Sequence, residues 1–315
     1  MKIYIVGATE EFNNRIQNAL QDSGQKDTTV IVASKIQAKE LAEKAGDCEI
    51  LVASPSGFET ISKDHIANLP HLKFITTTSV GIDWVDIQVA KERGIIVSNQ
   101  KGVNAEAVAE HCFGLLLDLT KRITEADRDI RTKGEYRSSP YLGIELFGKT
   151  LGIIGVGDIG KRVARIARGF SMKVQGLNKS GKLVEEIEIV DLETLFKTSD
   201  VVIVTIPLTK DTENLISQKE FDILKPGAFI VSISREVIIN KEAVLSALNT
   251  GKVSGFGFDA EINTSIEQDD PYLKHNRIVI TPHSASMTKE ADKGYIDMTV
   301  ENVTAFLSKN PIRVV

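Results

Sequence analysis

A glycine-punctuated turn between two short apolar runs constrains this chain more than any other stretch. Leu151, Ile153 and Ile154 read as a buried strand that stops at Gly155-Val156-Gly157-Asp158-Ile159-Gly160. Val163, Ile166, Ala167 and Phe170 then recur at helical spacing, and Met172 to Leu177 supplies a second strand. The first glycine makes the turn, the second lets a pyrophosphate approach the backbone, and the third lets the helix pack on the strand. The helix N-terminus adds free N–H groups and a positive dipole end. Strand, turn, helix and strand together predict a dinucleotide site made by Gly155, Gly157, Asp158, Ile159 and Gly160.

The end of the second strand bears on which dinucleotide. A carboxylate there would accept hydrogen bonds from the adenosine ribose hydroxyls. This chain has Asn178-Lys179-Ser180 instead. A lysine flanked by two small polar groups suits a 2′-phosphate, so the expectation is NAD(P) with NADP(H) favoured over NAD(H). The alternative leaves Lys179 as a solvated loop residue, with NAD bound through Asn178.

At 315 residues the chain can build two domains with real cores. Its net charge of −5 and lack of a basic stripe argue against nucleic acid as a partner. No apolar run approaches spanning length and no leader-like segment opens the chain, so no membrane association is expected. Cys48 and Cys112 lie far apart without C-x-x-C spacing, which fits reduced thiols and a cytoplasmic location. No metal-ligand cluster is read.

Taken in order, Met1–Val6 is a strand, 13–20 a helix, 29–33 a strand, 35–45 a helix, 49–53 a strand and 74–77 another. This alternation predicts an α/β, flavodoxin-like first domain over 1–98 with a parallel, helix-covered sheet. Ser79-Val80-Gly81 ends a strand with amides able to hold a carboxylate, and Ser54 lies in an earlier strand-end turn. From Asn104, read as an N-cap, a single apolar-striped helix is expected to about Ile130. Glu110 and His111 ride on it and read as structural or interface residues, outside the catalytic set. The second domain, 99–286, is expected to be a Rossmann-type doubly wound parallel sheet. Its later strands, 200–206, 228–233, 253–258 and 278–280, deliver Pro207, Ser234-Arg235, Asp259 and Thr281-Pro282-His283. Ligands of open α/β sheets bind beyond the carboxyl ends of strands. An arginine and a histidine there suit hydride transfer on a small 2-oxo/2-hydroxy acid. The guanidinium holds the carboxylate and polarises the carbonyl, and the imidazole exchanges a proton with the oxygen.

Several ordered blocks resemble the D-isomer-specific 2-hydroxyacid dehydrogenase family. They are GIDWVDIQVAKERGIIVSNQKGVNAEAVAEH, GKTLGIIGVGDIGKRVA, SDVVIVTIPLTKDTENLI, FDILKPGAFIVSISREVIINKEAVLSAL and ITPHSAS. The resemblance covers nearly the whole chain. It implies Arg235 and His283 as the catalytic pair, and cofactor contacts that also take in Ile206, Pro207, Thr212, Ile233, Ser234, Arg235, Asp259 and His283. It implies substrate contacts from Ser54, Val80, Gly81 and Arg235, an active site in an interdomain cleft, a first domain completed by 287–315, and a homodimer.

The chain also departs from that family. A glutamate five positions after the motif's aspartate, Asp259, normally orients and charges the histidine. Here the position is Thr264, with Glu261, Glu267 and Asp269 as acidic neighbours. Glu236 follows Arg235 where glycine is usual, Lys101 replaces a proline and Asn240 an aspartate. These changes support a rival expectation of a catalytically weakened dinucleotide-binding protein with a redox-sensing or scaffold role.

Overall fold

Parallel strands carry both halves of the chain, and the computed structural model describes all residues except 135–136, 180, 182 and 260–267. The chain folds into two compact units, Met1–Asn104 with Thr288–Val315, and Ala105–Met287.

In the first unit, β1 (Ile3–Gly7), β2 (Thr28–Val32), β3 (Ile50–Ala53), β4 (Phe74–Thr77) and β5 (Ile96–Ser98) form a sheet in the order β2-β1-β3-β4-β5. All its pairings are parallel. This is the flavodoxin-like order, in which each crossover needs a helix. Helices α1 (Glu10–Asp22), α2 (Ala38–Ala45), α3 (Lys63–Ala67) and α4 (Ile87–Glu92) supply them. The second helix starts three residues later than the composition of 35–45 suggests, because Lys35 takes a left-handed backbone with φ +54.

The second unit opens with α5 (Ala105–Lys121) and α6 (Ile123–Lys133), so the single helix expected over 104–130 is two. Arg122 is left-handed with φ +56 and ends the first helix. Asp118 then accepts the Thr124 amide at 2.7 Å, while Arg122 grips Glu125 at 2.6 Å, which starts the second. Asn104 does not cap α5: its Oδ1 is buried without a hydrogen-bond partner among the described residues, and its Nδ2 donates to the Tyr295 hydroxyl.

Seven parallel strands follow: β6 (Thr150–Ile154), β7 (Lys173–Leu177), β8 (Glu188–Ile189), β9 (Val201–Val204), β10 (Ala228–Ser232), β11 (Val253–Asp259) and β12 (Ile278–Thr281). Their order is β12-β11-β10-β9-β6-β7-β8. The winding reverses between β6 and β9, where a doubly wound sheet opens a crevice at its carboxyl edge. The two-residue edge strand β8 carries no pattern that periodicity can detect. Helices α7 (Asp158–Gly169), α8 (Leu192–Thr198), α9 (Gln218–Ile223), α10 (Lys241–Asn249) and α11 (Pro271–Lys274) link the strands. All residues of β9 and β10 are buried, as expected for strands covered on both faces. In β11 the pleat splits cleanly: Gly255 and Gly257 make room for Leu115 and Leu119 of α5, and Phe256 and Phe258 face Tyr272.

The final helix α12 (Lys289–Leu307) is capped by Thr288, whose hydroxyl accepts the Ala291 amide. It packs in the first unit, with Phe306 stacked on Phe74 at 4.4 Å. Its buried Asn302 donates to Thr76 and to the Asn99 carbonyl and accepts from Arg313, so every polar atom of that amide is occupied productively. No helix among the described residues is long and apolar enough to cross a membrane.

Candidate active site

The glycine turn of the second unit is shaped for an anion. Gly155 has φ +102, which side-chain-bearing residues rarely adopt, and its carbonyl accepts the Thr205 hydroxyl at 2.6 Å. A Cβ at Gly160 would lie 2.2 Å from the Gly155 carbonyl oxygen, so only glycine lets α7 sit this close to β6. At Gly157 the situation is opposite: φ is −89, and a Cβ would meet nothing within 4 Å. The open space at Gly157 faces the start of α7, whose first turn has no side-chain cap. Free amides beside room for a ligand fit a dinucleotide pyrophosphate. Asp158 and Ile159 are the first two residues of that helix.

Other expected cofactor residues sit on loops at the same edge. Asn178 and Lys179 follow β7, and Lys179 Nζ pairs with Asp211 Oδ2 at 2.9 Å, both side chains largely exposed. The Asp211 hydrogen bond raises the Lys179 pKa, and the lysine lowers that of Asp211. Ser180 lies outside the described residues. After β9, Ile206 packs against Gly155, and the Thr212 hydroxyl donates to the Pro207 carbonyl at 2.8 Å. After β10, Ile233 donates its amide and Ser234 its hydroxyl to the Val204 carbonyl, both at 3.2 Å.

Arg235, Asp259 and His283 follow from three adjacent strands, β10, β11 and β12. At the usual strand spacing the first and third of these ends lie about 10 Å apart. Ser234, Arg235, Glu236 and Asp259 border a cavity of about 40 Å³, room for a few waters. Arg235 is half-buried, while the exposed Glu236 starts a 3-10 turn that ends on buried Ile238.

The turn carrying His283 is built around Asp259. The sheet register sets Asp259 opposite Thr281, and the Thr281 hydroxyl donates to Asp259 Oδ1 at 2.5 Å. The Ser284 amide donates to the same oxygen and the Ala285 amide to Oδ2, both at 2.9 Å. Three donors on a carboxylate only 7% exposed hold the segment from both sides. Between them His283 takes φ +52, a left-handed backbone uncommon outside glycine. On α5, His111 Nε2 lies 2.9 Å from Thr281 Oγ1. Asp259 therefore shapes this turn, whatever else it contacts. His111, read from the sequence as a structural or interface residue, meets Thr281 across 170 positions, a link that no local pattern carries.

In the first unit, Ser54 is nearly buried and its hydroxyl is hydrogen-bonded to that of Ser56 at 2.9 Å. The carbonyls of Val80 and Gly81 accept from Asn99 and Trp84. Among the described residues, neither the Val80 nor the Gly81 amide is given away, which leaves two adjacent donors at the end of β4.

Residues 113–285 match the family model for the D-isomer specific 2-hydroxyacid dehydrogenase NAD binding domain. A glyoxylate reductase of Thermococcus litoralis is 37% identical over 282 residues, covering 84% of this chain and 82% of the relative. The chain belongs to the D-isomer-specific 2-hydroxyacid dehydrogenase family. Membership makes it a nicotinamide-dependent oxidoreductase of the 2-hydroxyacid class, with the Rossmann-type sheet expected of it. Its structure superposes on an acyclic imino acid reductase in complex with NADPH and D-arginine (TM-score 0.90, 31% identity, 100% of both chains). It also matches D-lactate dehydrogenase from Aquifex aeolicus complexed with NAD and lactic acid (TM-score 0.85, 26% identity, 98% and 96% of the chains).

Of the departures from the family pattern, Asn240 is accounted for: its side chain accepts the Ala243 amide at 2.9 Å and caps α10, work an aspartate would also do. Lys101 is exposed, its amide donating to Asn99 Oδ1. Thr264, Glu261 and Glu267 lie outside the described residues.

Proposed function

We propose that this dehydrogenase interconverts a small 2-oxo acid and its D-2-hydroxy acid, with Arg235 and His283 as the catalytic pair. The observation that carries the reading is the turn after β12: a buried carboxylate and three hydrogen bonds hold a left-handed histidine two strands from the one that delivers Arg235. Strained conformations of this kind persist where the surroundings over-determine them, and they cluster at functional sites. The nicotinamide dinucleotide, when bound, supplies or accepts the hydride. Amides at the start of α7 hold its pyrophosphate, with Ile206, Pro207, Thr212, Ile233, Ser234 and Asp259 along its length. The Arg235 guanidinium binds the carboxylate and draws charge toward the carbonyl oxygen. The His283 imidazolium gives its proton to that oxygen as charge develops; in the reverse direction the neutral ring removes it. The amides of Val80 and Gly81 and the Ser54 hydroxyl suit the same anionic substrate class.

NADP(H) remains the favoured cofactor in this reading, with Lys179 attracting the 2′-phosphate and Asp211 opposing it. A homodimer and a cytoplasmic setting belong to the same proposal. The twofold assembly is checked by light scattering of the eluting protein, and the setting by fractionating the cells that make it.

A full-length structural relative favours a second substrate class. A carbonyl must be protonated as hydride arrives, whereas an iminium already carries its proton. A 2-imino acid therefore asks less of the histidine, and the imino acid reductase similar over the full length points to that class. The test is a panel of glyoxylate, pyruvate and hydroxypyruvate, each with and without ammonia or a primary amine, against NADH and NADPH. Turnover of the acids alone, lost by orders of magnitude in His283→Ala, supports the first reading. Turnover only with amine supports the second. Tight cofactor binding with no turnover in any arm replaces both with a binding role.

A further inference from the structure

His111 belongs to α5 and to no strand, yet it reaches the turn that carries His283. Its Nε2 is 2.9 Å from Thr281 Oγ1 and 3.9 Å from Asp259 Oδ1. Proton accounting fixes which way these bonds run. Asp259 collects the Ser284 and Ala285 amides and the Thr281 hydroxyl, so its oxygens act only as acceptors. The single hydroxyl proton of Thr281 is committed to Asp259, 2.5 Å away. Toward His111 that oxygen can only accept, and His111 must donate from Nε2.

We propose that His111 is a positioning residue for His283. By donating to Thr281 it keeps the hydroxyl in the rotamer that reaches Asp259. Asp259 in turn ties down the amides that follow His283. The chain His111–Thr281–Asp259 thus braces both flanks of a left-handed residue, a conformation that persists only where its surroundings enforce it. The ring is well placed for this work: α5 is pinned to β11 through Leu115 and Leu119, so His111 approaches Thr281 from a fixed direction. The inference rests on His283 being the acid–base group, but the contact itself can be tested separately.

Histidine-labelled full-length protein, with the His111 resonances assigned by comparison with His111→Gln, reports the tautomer by nitrogen NMR. The expected result is a proton on Nε2 of the neutral ring. A neutral ring protonated on Nδ1 overturns the proposal whether or not any substrate turns over. In kinetics, His111→Phe should lower kcat by about 10- to 100-fold, the range seen when a group orienting a functional side chain is removed. KM for the acid and Kd for the cofactor should stay within about twofold. His111→Gln, whose amide can donate to Thr281, should recover most of the loss. Thr281→Val should lose as much as His111→Phe, and the double variant little more than either alone. Losses that multiply in the double variant, or an undiminished kcat in His111→Phe, would show that the ring does not act through Thr281. If the unaltered protein turns over no acid or imine while the tautomer is as expected, the catalytic reading of His283 fails and the contact stands.

Discussion

Two glycines of the same hexapeptide should fail in different ways when each is given a methyl group. At Gly160 the new Cβ would stand 2.2 Å from the Gly155 carbonyl oxygen, where ordinary contact begins at about 3.4 Å. Helix α7 must therefore back away from β6 by about 1 Å, an overpacking cost of about 1–3 kcal/mol of stability. The same shift stretches an amide–phosphate bond from about 2.9 to about 3.9 Å, beyond bonding range. One charge-assisted bond lost is worth about 1.5–3 kcal/mol, or about a 10- to 150-fold weaker cofactor Kd. At Gly157 a Cβ meets nothing within 4 Å and φ is −89, so Gly157→Ala should leave the ligand-free protein as stable as before. It should still weaken the cofactor by about tenfold or more, because the methyl takes the space a pyrophosphate needs next to the backbone. Urea unfolding of the ligand-free variants and fluorescence titration with NADPH and NADH separate the two effects. If Gly157→Ala binds both cofactors within twofold of the parent, the pyrophosphate does not lie on this turn. If Gly160→Ala unfolds at the parental midpoint, the helix does not need its close approach to the strand.

Further expectations follow from single contacts. Lys179→Gln should weaken NADPH by about 3- to 10-fold and leave NADH unchanged, whereas Asp211→Asn should tighten NADPH by a similar factor; equal effects on both cofactors in paired titrations would remove the 2′-phosphate argument. Burial pushes the Cys48 thiol up to about 12, and burial with the nearby Asp259 charge raises Cys112 as well, so both should react with an aromatic disulfide at pH 8 about a hundredfold or more slowly than a free thiol until urea is added. Burial raises the Asp200 carboxyl, but Lys225 at 2.7 Å and the Thr150 amide outweigh it and leave its pKa below the usual value. Stability from this pair is complete above the unfolded carboxyl's pKa of about 3.9 and drains as pH falls through the lower folded value. Lys225→Met raises that folded value, so circular dichroism should show acid unfolding beginning at a higher pH than in the parent.

The architecture was legible because local patterns carry it. Runs such as 201–204 and 228–232 are apolar on both faces, and only a strand with helices on either side can bury them. The glycine hexapeptide announces its own turn, since each position answers to a local steric demand or to the ligand. Arg235, Asp259 and His283 could be placed at strand ends for the same reason: each follows directly from an apolar run. What escaped were features made by residues distant in sequence. The break at Arg122 depends on Asp118 and Glu125 offering a cap that competes with continuing the helix. Lys179 met Asp211 from another loop, and Asp259 met Thr281, Ser284 and Ala285 through strand register. Local sequence thus determined which segments become strands and helices, because the side-chain period decides which face can leave water. The hydrogen bonds that shape the His283 turn and bring His111 to it were decided by the tertiary structure alone, because such bonds require a register and a helix placement that no single segment encodes.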